Sequence, residues 1–318
     1  MKYLITGISG FVGGHYLEYL AKHRPDAEVI GIDEHEPGLD FLEASFKGRV
    51  KVHKGSLLDR SFLEDLIKYA RPDRIVHLAS YSSVAFSWQD PVSCFVNNTN
   101  IFLNIVEAVR RAQAAPRILS VGSSEEYGIV RQEDLPLRED AQLNPISPYA
   151  VARLSQEKIS LVYARGYGLP IICTRSFNHI GSRQRDIFAV SSFAKQVAEA
   201  KKGLRHSIKC GDLAIVRDFI DVRDAVRAYD LLLDSGKSGE IYNVCSGEGH
   251  SLLDIVGMLQ KIAGTAEPIE KDRALIRPAD NPIIIGSCEK LKKETRFSRE
   301  FAVNDSLADV LHYWESHV

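Results

Sequence analysis

The chain has few of the features that mark secreted, membrane or nucleic-acid-binding proteins. Its 318 residues include only five cysteines, two methionines and two tryptophans. Cys94, Cys173, Cys210, Cys245 and Cys288 are scattered, odd in number and never spaced C-x-x-C. That pattern argues against a disulfide framework and predicts reduced, mostly buried thiols in a cytoplasmic protein. No His/Cys/Asp cluster has ligand spacing, so no metal is expected. His77 and His179 sit in apolar surroundings, where a histidine is more often hydrogen-bonded than a ligand. Neither sign of charge dominates: 40 Lys and Arg stand against 42 Asp and Glu, for a net charge of −2. Nothing in that balance supplies an electrostatic footprint for nucleic acid or an anionic membrane. No apolar run approaches the ~18 residues of a spanning helix. The opening "MKYLITG" enters a strand-like run directly, without the apolar stretch and cleavage site of a signal peptide. Internal repeats, low-complexity tracts and long linkers are also missing.

What is present is an alternation. The runs at 2–7, 28–33, 50–55, 74–80, 117–124 and 170–176 are short and almost continuously apolar, as parallel strands buried on both faces are. Between them, "FVGGHYLEYLAKH", "SFLEDLIKYA", "PVSCFVNNTNIFLNIVEAVRRA" and "PYAVARLSQEKISLVYARGYG" carry apolar residues at helical spacing. Alternating strand and helix predicts an α/β fold, a doubly wound parallel Rossmann sheet with ligand sites at the carboxyl ends of the strands. After Ser176 the alternation fails. "RDFIDVRDAVRAYDLLLD" and "EIYNVCSG" read as one more helix and strand of the sheet. The expectation is therefore a nucleotide-binding domain of residues 1–176 and 214–245. Residues 177–213 and 246–318 would form a smaller, discontinuous α/β lobe for substrate.

"ITGISGFVGG" follows the first strand and opens the first helix. Gly7, Gly10 and Gly13, with Phe11 and Val12 between the last two, form a turn whose N–H groups can approach a pyrophosphate at a helix N-terminus. A glycine turn alone is a weak signal, and a tight structural turn is the competing explanation. Its setting strengthens it: Asp33 ends the next strand twenty residues past Gly13. A carboxylate there accepts both adenosine ribose hydroxyls and repels a 2′-phosphate. With Glu34 and Glu36 beside it, the site favours NAD(H). Leu57 and Asp59 follow the third strand, where an adenine edge would lie. Leu78 and Ala79 end the fourth strand, near the pyrophosphate. Asn98 lies inside the following helix, where a buried amide needs a partner, either the cofactor region or an ordinary helix–helix bond.

"SVGSSEEYG" ends the fifth strand with Ser123 and Ser124, and Tyr149 opens the next long helix with Arg153 one turn on. A strand-end serine, a helix tyrosine and a cation at i+4 suit carbonyl/alcohol redox. The serine would hold the substrate oxygen and the tyrosine would pass the proton. The cation would favour the tyrosinate and bind the nicotinamide ribose.

"TGISGFVG", Asp33, "HLAS", "SSEEYG", Tyr149 and "RSFNHIG" together resemble the extended short-chain dehydrogenase/reductases acting on nucleotide sugars, over nearly the whole chain. Within that family "GSSEEYG", "RSFNHIG", "VRDFIDVRDAVRAY", "YNVCSG" and "LIRPADNPIIIGS" are most similar to the branch that reduces a GDP-4-keto-6-deoxy-hexose. The resemblance implies catalytic roles for Ser123 and Tyr149, with Arg153 where the family has lysine. Glu125 matches the acid/base of the related dehydratases. It also implies substrate contacts from Ser124, Asn178, Lys195, Arg217, Arg277 and Asp280. Arginine forks suit phosphate oxygens, and a carboxylate suits ribose hydroxyls. A homodimer is implied too, through a four-helix interface built from helices near 92–113 and 148–167. Four positions depart from the pattern. Besides Arg153, Ser182-Arg183 replaces Pro-Gly, Ser56 replaces an aspartate, and Ile101-Phe102 replaces Gly-Thr. Arg183 would add a cation near the sugar or diphosphate and change which sugar fits. Arginine in place of lysine would tilt the enzyme toward reduction, where the tyrosine works as an acid. The alternatives are a 4,6-dehydratase, a 4-epimerase or a 4-dehydrogenase on another GDP sugar, and a dinucleotide-binding protein without turnover.

Overall fold

The computed structural model describes residues 1–276 and 279–318. Arg277, expected at the diphosphate, lies outside the described residues. The first half of the chain alternates as its sequence pattern requires. β1 (Lys2–Thr6), α1 (Phe11–His23), β2 (Glu28–Asp33), α2 (Ala44–Lys47), β3 (Val50–Lys54), α3 (Arg60–Ala70) and β4 (Arg74–His77) come first. They are followed by α4 (Val84–Gln89), α5 (Pro91–Arg111), β5 (Arg117–Ser123), α6 (Pro148–Tyr167) and β6 (Ile171–Ser176). The second half holds β7 (Asn178–Ile180), α7 (Ala189–Lys201), β8 (Ile208–Cys210), β9 (Val216–Asp221), α8 (Val222–Ser235) and β10 (Ile241–Val244). It ends with β11 (Gly249–Ser251), α9 (Leu252–Ala263), β12 (Ile269–Lys271), β13 (Ile283–Ile284), α10 (Glu289–Thr295) and α11 (Val303–Glu315).

Seven strands form one parallel sheet in the order β10-β6-β5-β4-β1-β2-β3. This is the doubly wound Rossmann arrangement. The chain reverses direction of travel between β1 and β4, which opens a crevice at their carboxyl ends. The sheet is covered on both faces, hence the continuously apolar strands. One face packs on α1 and α8 through residues such as Ile5, Leu17, Val226 and Leu232; the other packs on α3, α5 and α6 through Leu4, Ile67, Phe102 and Ile171.

β9 departs from the sequence reading. "RDFIDVRDAVRAYDLLLD" reads as one helix, but its first residues form a strand that pairs parallel with β7 and β13 and antiparallel with β11, in a small separate sheet. β10, the strand read from "EIYNVCSG", takes the position beside β6, in register from Ile241–Cys173 to Val244–Ser176. A short apolar run leading into a helix cannot be told from a further helical turn by periodicity alone. α7, α9 and α11 share a further core around Val197, Leu259 and Leu307. α10 goes the other way: Leu291 belongs to the core under the large sheet. All five cysteines are buried free thiols. No helix among the described residues is long and apolar enough to cross a membrane.

Candidate active site

Thr6 hands the chain to Gly7, whose N–H donates to the Ile32 carbonyl at 2.9 Å and whose φ is +71°. A side chain here would stand 2.7 Å from the Ala79 nitrogen, and one at Gly13 would stand 2.5 Å from the Ile8 carbonyl oxygen. Glycine therefore lets α1 begin directly over the turn, against the end of β4. α1 starts at Gly10 with no side-chain cap and no acidic residue in its first turn. Its positive end thus faces the crevice unneutralised, which fits a dinucleotide pyrophosphate. Phe11 and Val12 are half-buried and brace that end against the core. The Asp33 carboxylate is fixed by two backbone donors, Ser9 N to Oδ2 (3.0 Å) and His35 N to Oδ1 (3.1 Å).

Leu57 is buried. Asp59 caps α3 by accepting from Phe62 N, so its carboxylate serves the helix. Leu78 and Ala79 hang from Thr6, their N–H groups donating to its carbonyl and hydroxyl oxygens. His77 is buried with Nδ1 2.9 Å from Thr6 Oγ1. Burial, helped by the positive Arg153, drives it down to about 3, so it is neutral. Asn98 clamps the loop after β4: Oδ1 accepts from Tyr81 N (2.8 Å) and Nδ2 donates to Tyr81 O (3.0 Å). Its direct partner is thus the protein's own backbone.

Ser123 ends β5 and caps the short 3-10 turn Ser124–Tyr127, its Oγ accepting from Glu125 N at 3.2 Å. One oxygen lone pair is used there, which leaves the hydroxyl hydrogen to donate elsewhere. Ser124 is buried and Glu125 half-buried in the same turn. Ser147 caps α6 by accepting from Ala150 N at 3.1 Å, with Pro148 next. That N-terminal signal puts Tyr149 in the helix's first turn. α6 packs on β5 and on the 3-10 turn, so Ser123 and Tyr149 share the carboxyl end of the sheet. Tyr149 is 6% exposed. The Arg153 guanidinium lies 5.7 Å from the centre of its ring. Arg153 Nη1 donates to Gln156 Oε1 at 2.8 Å, while Nε is buried without a partner. An orphaned donor beside Tyr149 fits a cofactor ribose hydroxyl.

Beneath this pair lies a buried group that sequence reasoning missed. Glu126 Oε1 accepts from Ser123 N at 2.8 Å. Arg175, from β6, grips Glu157 of α6 with Nε (2.8 Å) and Nη2 (3.1 Å), and its Nε is 4.0 Å from Glu126. Burial first, and the neighbouring Glu157 second, push Glu126 up to about 8. Burial also pushes on Glu157, but Arg175's hydrogen bonds outweigh it and hold Glu157 low. One arginine thus serves two carboxylates, and Glu126 keeps the proton. Gln156 escaped notice as well. The available signal was polar residues Arg153, Gln156, Glu157 and Ser160 at helical spacing on one face that turns out to be buried.

The residues expected at the substrate are divided. Asn178 Nδ2 donates to Asp218 O at 3.2 Å. Arg217 and Asp280 are brought together: Nη2 pairs with Oδ1 at 2.5 Å, while Nη1 donates to the Asn281 carbonyl at 2.7 Å. Arg183 finds its partners within the chain. Its guanidinium lies against α1, 2.6 and 2.8 Å from the two Glu18 oxygens, and over the Phe41 ring at 4.7 Å. Burial pushes Glu18 up, but hydrogen bonds from His15 and Arg183 prevail and bring it to about 2. Lys195 pairs with Asp186 at 2.7 Å and lies over Trp314. Tyr229 is a further unpredicted neighbour: its hydroxyl joins Ser176 Oγ (2.7 Å) to His179 Nε2 (2.8 Å). Among the described residues no group of His, Cys, Asp or Glu could hold a metal ion.

A doubly wound sheet with a serine ending its fifth strand, and a tyrosine and a cation on the helix that follows, is the architecture of an extended short-chain dehydrogenase/reductase. The family model for GDP-mannose 4,6 dehydratase matches residues 4–310, and the chain belongs to that family. It is 32% identical to a GDP-6-deoxy-D-mannose reductase of Pseudomonas aeruginosa, over 100% of this chain and 98% of the relative. Among solved structures, RMD from Pseudomonas aeruginosa complexed with NADPH is similar at TM-score 0.86 and 32% identity, covering 100% of this chain and 98% of that one. The UDP-glucose 4-epimerase of Thermus thermophilus in complex with NAD also has TM-score 0.86, at 28% identity and full coverage of both chains.

Proposed function

We propose that this protein uses NAD(H) to reduce the 4-keto group of a GDP-4-keto-6-deoxy-hexose, converting GDP-4-keto-6-deoxy-D-mannose to GDP-D-rhamnose. The observation that carries the reading is the end-to-end similarity to a reductase of that name at 32% identity. Bound over the glycine turn, the nicotinamide cofactor supplies the hydride. Ser123 donates its hydroxyl hydrogen to the keto oxygen. Tyr149 delivers the proton to that oxygen as the alcohol forms. Arg153 stabilises the resulting tyrosinate, and its Nε donates to the ribose. Asp33 accepts the adenosine ribose hydroxyls. Arg217 and Arg277 hold the diphosphate of the GDP sugar, with Asp280 at its ribose. Ser124, Asn178 and the turn around Glu125 border the sugar.

The dehydratase reading draws on the family model's description and on Glu125, which sits two residues past Ser123. Two incubations separate them. With GDP-4-keto-6-deoxy-D-mannose and NADH, a reductase consumes absorbance at 340 nm. With GDP-mannose alone, a dehydratase yields a 4-keto product. No loss at 340 nm in the first incubation refutes the reductase reading.

The reading extends to a homodimer. Val92, Phe95 and Val96 of α5 and Val151 of α6 are exposed apolar side chains on neighbouring helices, the kind of face a partner subunit covers. Five buried free thiols support a cytoplasmic setting.

A further inference from the structure

The arginine at 153 has a keeper. Its Nη1 bond ends on Gln156 Oε1, and Gln156 is itself 1% exposed. The other end of that amide donates to Ser120 Oγ (2.9 Å) and the Val121 carbonyl (3.1 Å), both on β5. Ser160, one turn further along α6, lies 2.9 Å from the same Ser120 oxygen and 2.8 Å from the Gln156 carbonyl. Arg153 can only donate and the Val121 carbonyl can only accept, so the amide has a single orientation. Every member is buried, and together they tie the guanidinium to the strand that carries Ser123.

We propose that Gln156 is a positioning residue that makes arginine workable where the family uses lysine. A lysine presents a compact point charge on a flexible stem. A guanidinium is wider and planar, with several donors fixed in one plane. Placed in the same space, it must be stopped from rotating, and its inward edge must be given an acceptor. Gln156 does both. It holds Nη1 and leaves Nε, buried and unpartnered, free to meet the cofactor ribose. Gln156 touches neither substrate nor cofactor and acts through Arg153. The inference rests on the reading of Arg153 as the cation of the Tyr149 pair.

The test is a double-mutant cycle on the full chain: wild type, Gln156→Leu, Arg153→Lys and the double variant. NADH affinity is followed by fluorescence, and reduction by its pH profile and its separation into kcat and KM. Coupling between contacting groups makes the expected loss from Gln156→Leu about tenfold in NADH affinity and in kcat. The sugar KM should stay unchanged and the pH profile should move. In the Arg153→Lys background the same substitution should cost less than about threefold, because lysine needs no keeper. Equal losses in both backgrounds would mean Gln156 only braces β5 against α6, and the proposal fails. No loss in either also overturns it. Should the leucine variant not fold, Gln156→Met replaces it. Methionine likewise offers Arg153 no acceptor, so a loss of NADH affinity in the wild-type background that shrinks in the Arg153→Lys background supports positioning, and equal losses count against it. The binding cycle needs no sugar, so it gives an answer even where wild type fails to reduce the proposed substrate.

Discussion

We propose that Asp33 decides the cofactor, and its effect can be estimated from its surroundings. The Pseudomonas structure holds NADPH, so cofactor preference here has to be argued from this chain's own residues. Ser9 N and His35 N fix the carboxylate at the end of β2, leaving its remaining lone pairs for the two ribose hydroxyls. Hydrogen bonds to a charged group are worth about 1.5–3 kcal/mol each. Two of them give about 3 kcal/mol at the low end, or roughly a hundredfold in affinity. NADPH replaces one hydroxyl with a phosphate. A unit-charge pair ~4 Å apart near a protein surface repels by about 4 kcal/mol before salt screening. Wild type should therefore bind NADH at least ~100-fold more tightly than NADPH. Asp33→Ser removes both the acceptors and the repulsion. NADH should weaken by about a hundredfold, and the preference should fall below about tenfold. Asp33→Asn keeps the shape and one acceptor and should fall between. The measurement is fluorescence titration with each nucleotide at low and high salt. Only the NADPH penalty should shrink with salt, since it alone is charge repulsion. Equal wild-type affinity for the two nucleotides, or a ratio unmoved by Asp33→Ser, would refute the reasoning and leave Asp33 as a loop anchor.

Three further outcomes are expected. Glu126 is held protonated in the fold up to about pH 8. A raised carboxyl stabilises the fold fully below the unfolded carboxylate range and loses that contribution as pH rises through the folded value. The melting temperature of wild type should therefore decline from pH 5 to 9 more steeply than that of Glu126→Gln, and parallel curves would show that Glu126 does not titrate there. Gly128 has φ +65°, and a side chain at that position would collide with the backbone carbonyl of Asn144. Gly128→Ala should cost at least ~3 kcal/mol by chemical denaturation or displace the turn beside Ser123, and wild-type stability with wild-type turnover would contradict this. Phe95→Glu on the exposed apolar face should convert a dimer to a monomer in sedimentation without lowering the unfolding midpoint of the monomer.

The sequence was most legible where the determinants are local. The strand–helix alternation, the glycine turn and the capped start of α6 each depend on residues within one or two turns of each other, and the structure places Ser123 and Tyr149 at one end of the sheet. What escaped depends on distant pairings. β9 reads as the opening of the helix that follows it, and only its pairing with β7, β11 and β13 makes it a strand. Arg183 reads as a free cation until Glu18, 165 residues earlier, is brought against it. In "SSEEY" two adjacent glutamates look alike. A 3-10 turn sends Glu126 inward to Ser123 N and leaves Glu125 half-buried, and no periodicity distinguishes them.

The four departures from the family pattern are each closed within the chain. Ser56 Oγ accepts from Leu58 N. Ile101 and Phe102 are buried on α5, with the Phe102 ring 5.2 Å from that of His77, below the glycine turn. Arg153 is held by Gln156. Ser182 meets α1 through its carbonyl at His15 Nε2 (3.0 Å), and Arg183 follows through Glu18. Arg183, expected to add a cation near the sugar, has its charge paired with Glu18. All four departures have their partners in the nucleotide half of the chain: the turn after β3, the helix after β4, the start of α1, and the α6–β5 contact. On the proposed function, their effect falls on the grip on cofactor and tyrosine. On the same reading, we infer that recognition of the sugar falls to the loops around 80–88, 124–130 and 178–190 and to the paired Arg217 and Asp280.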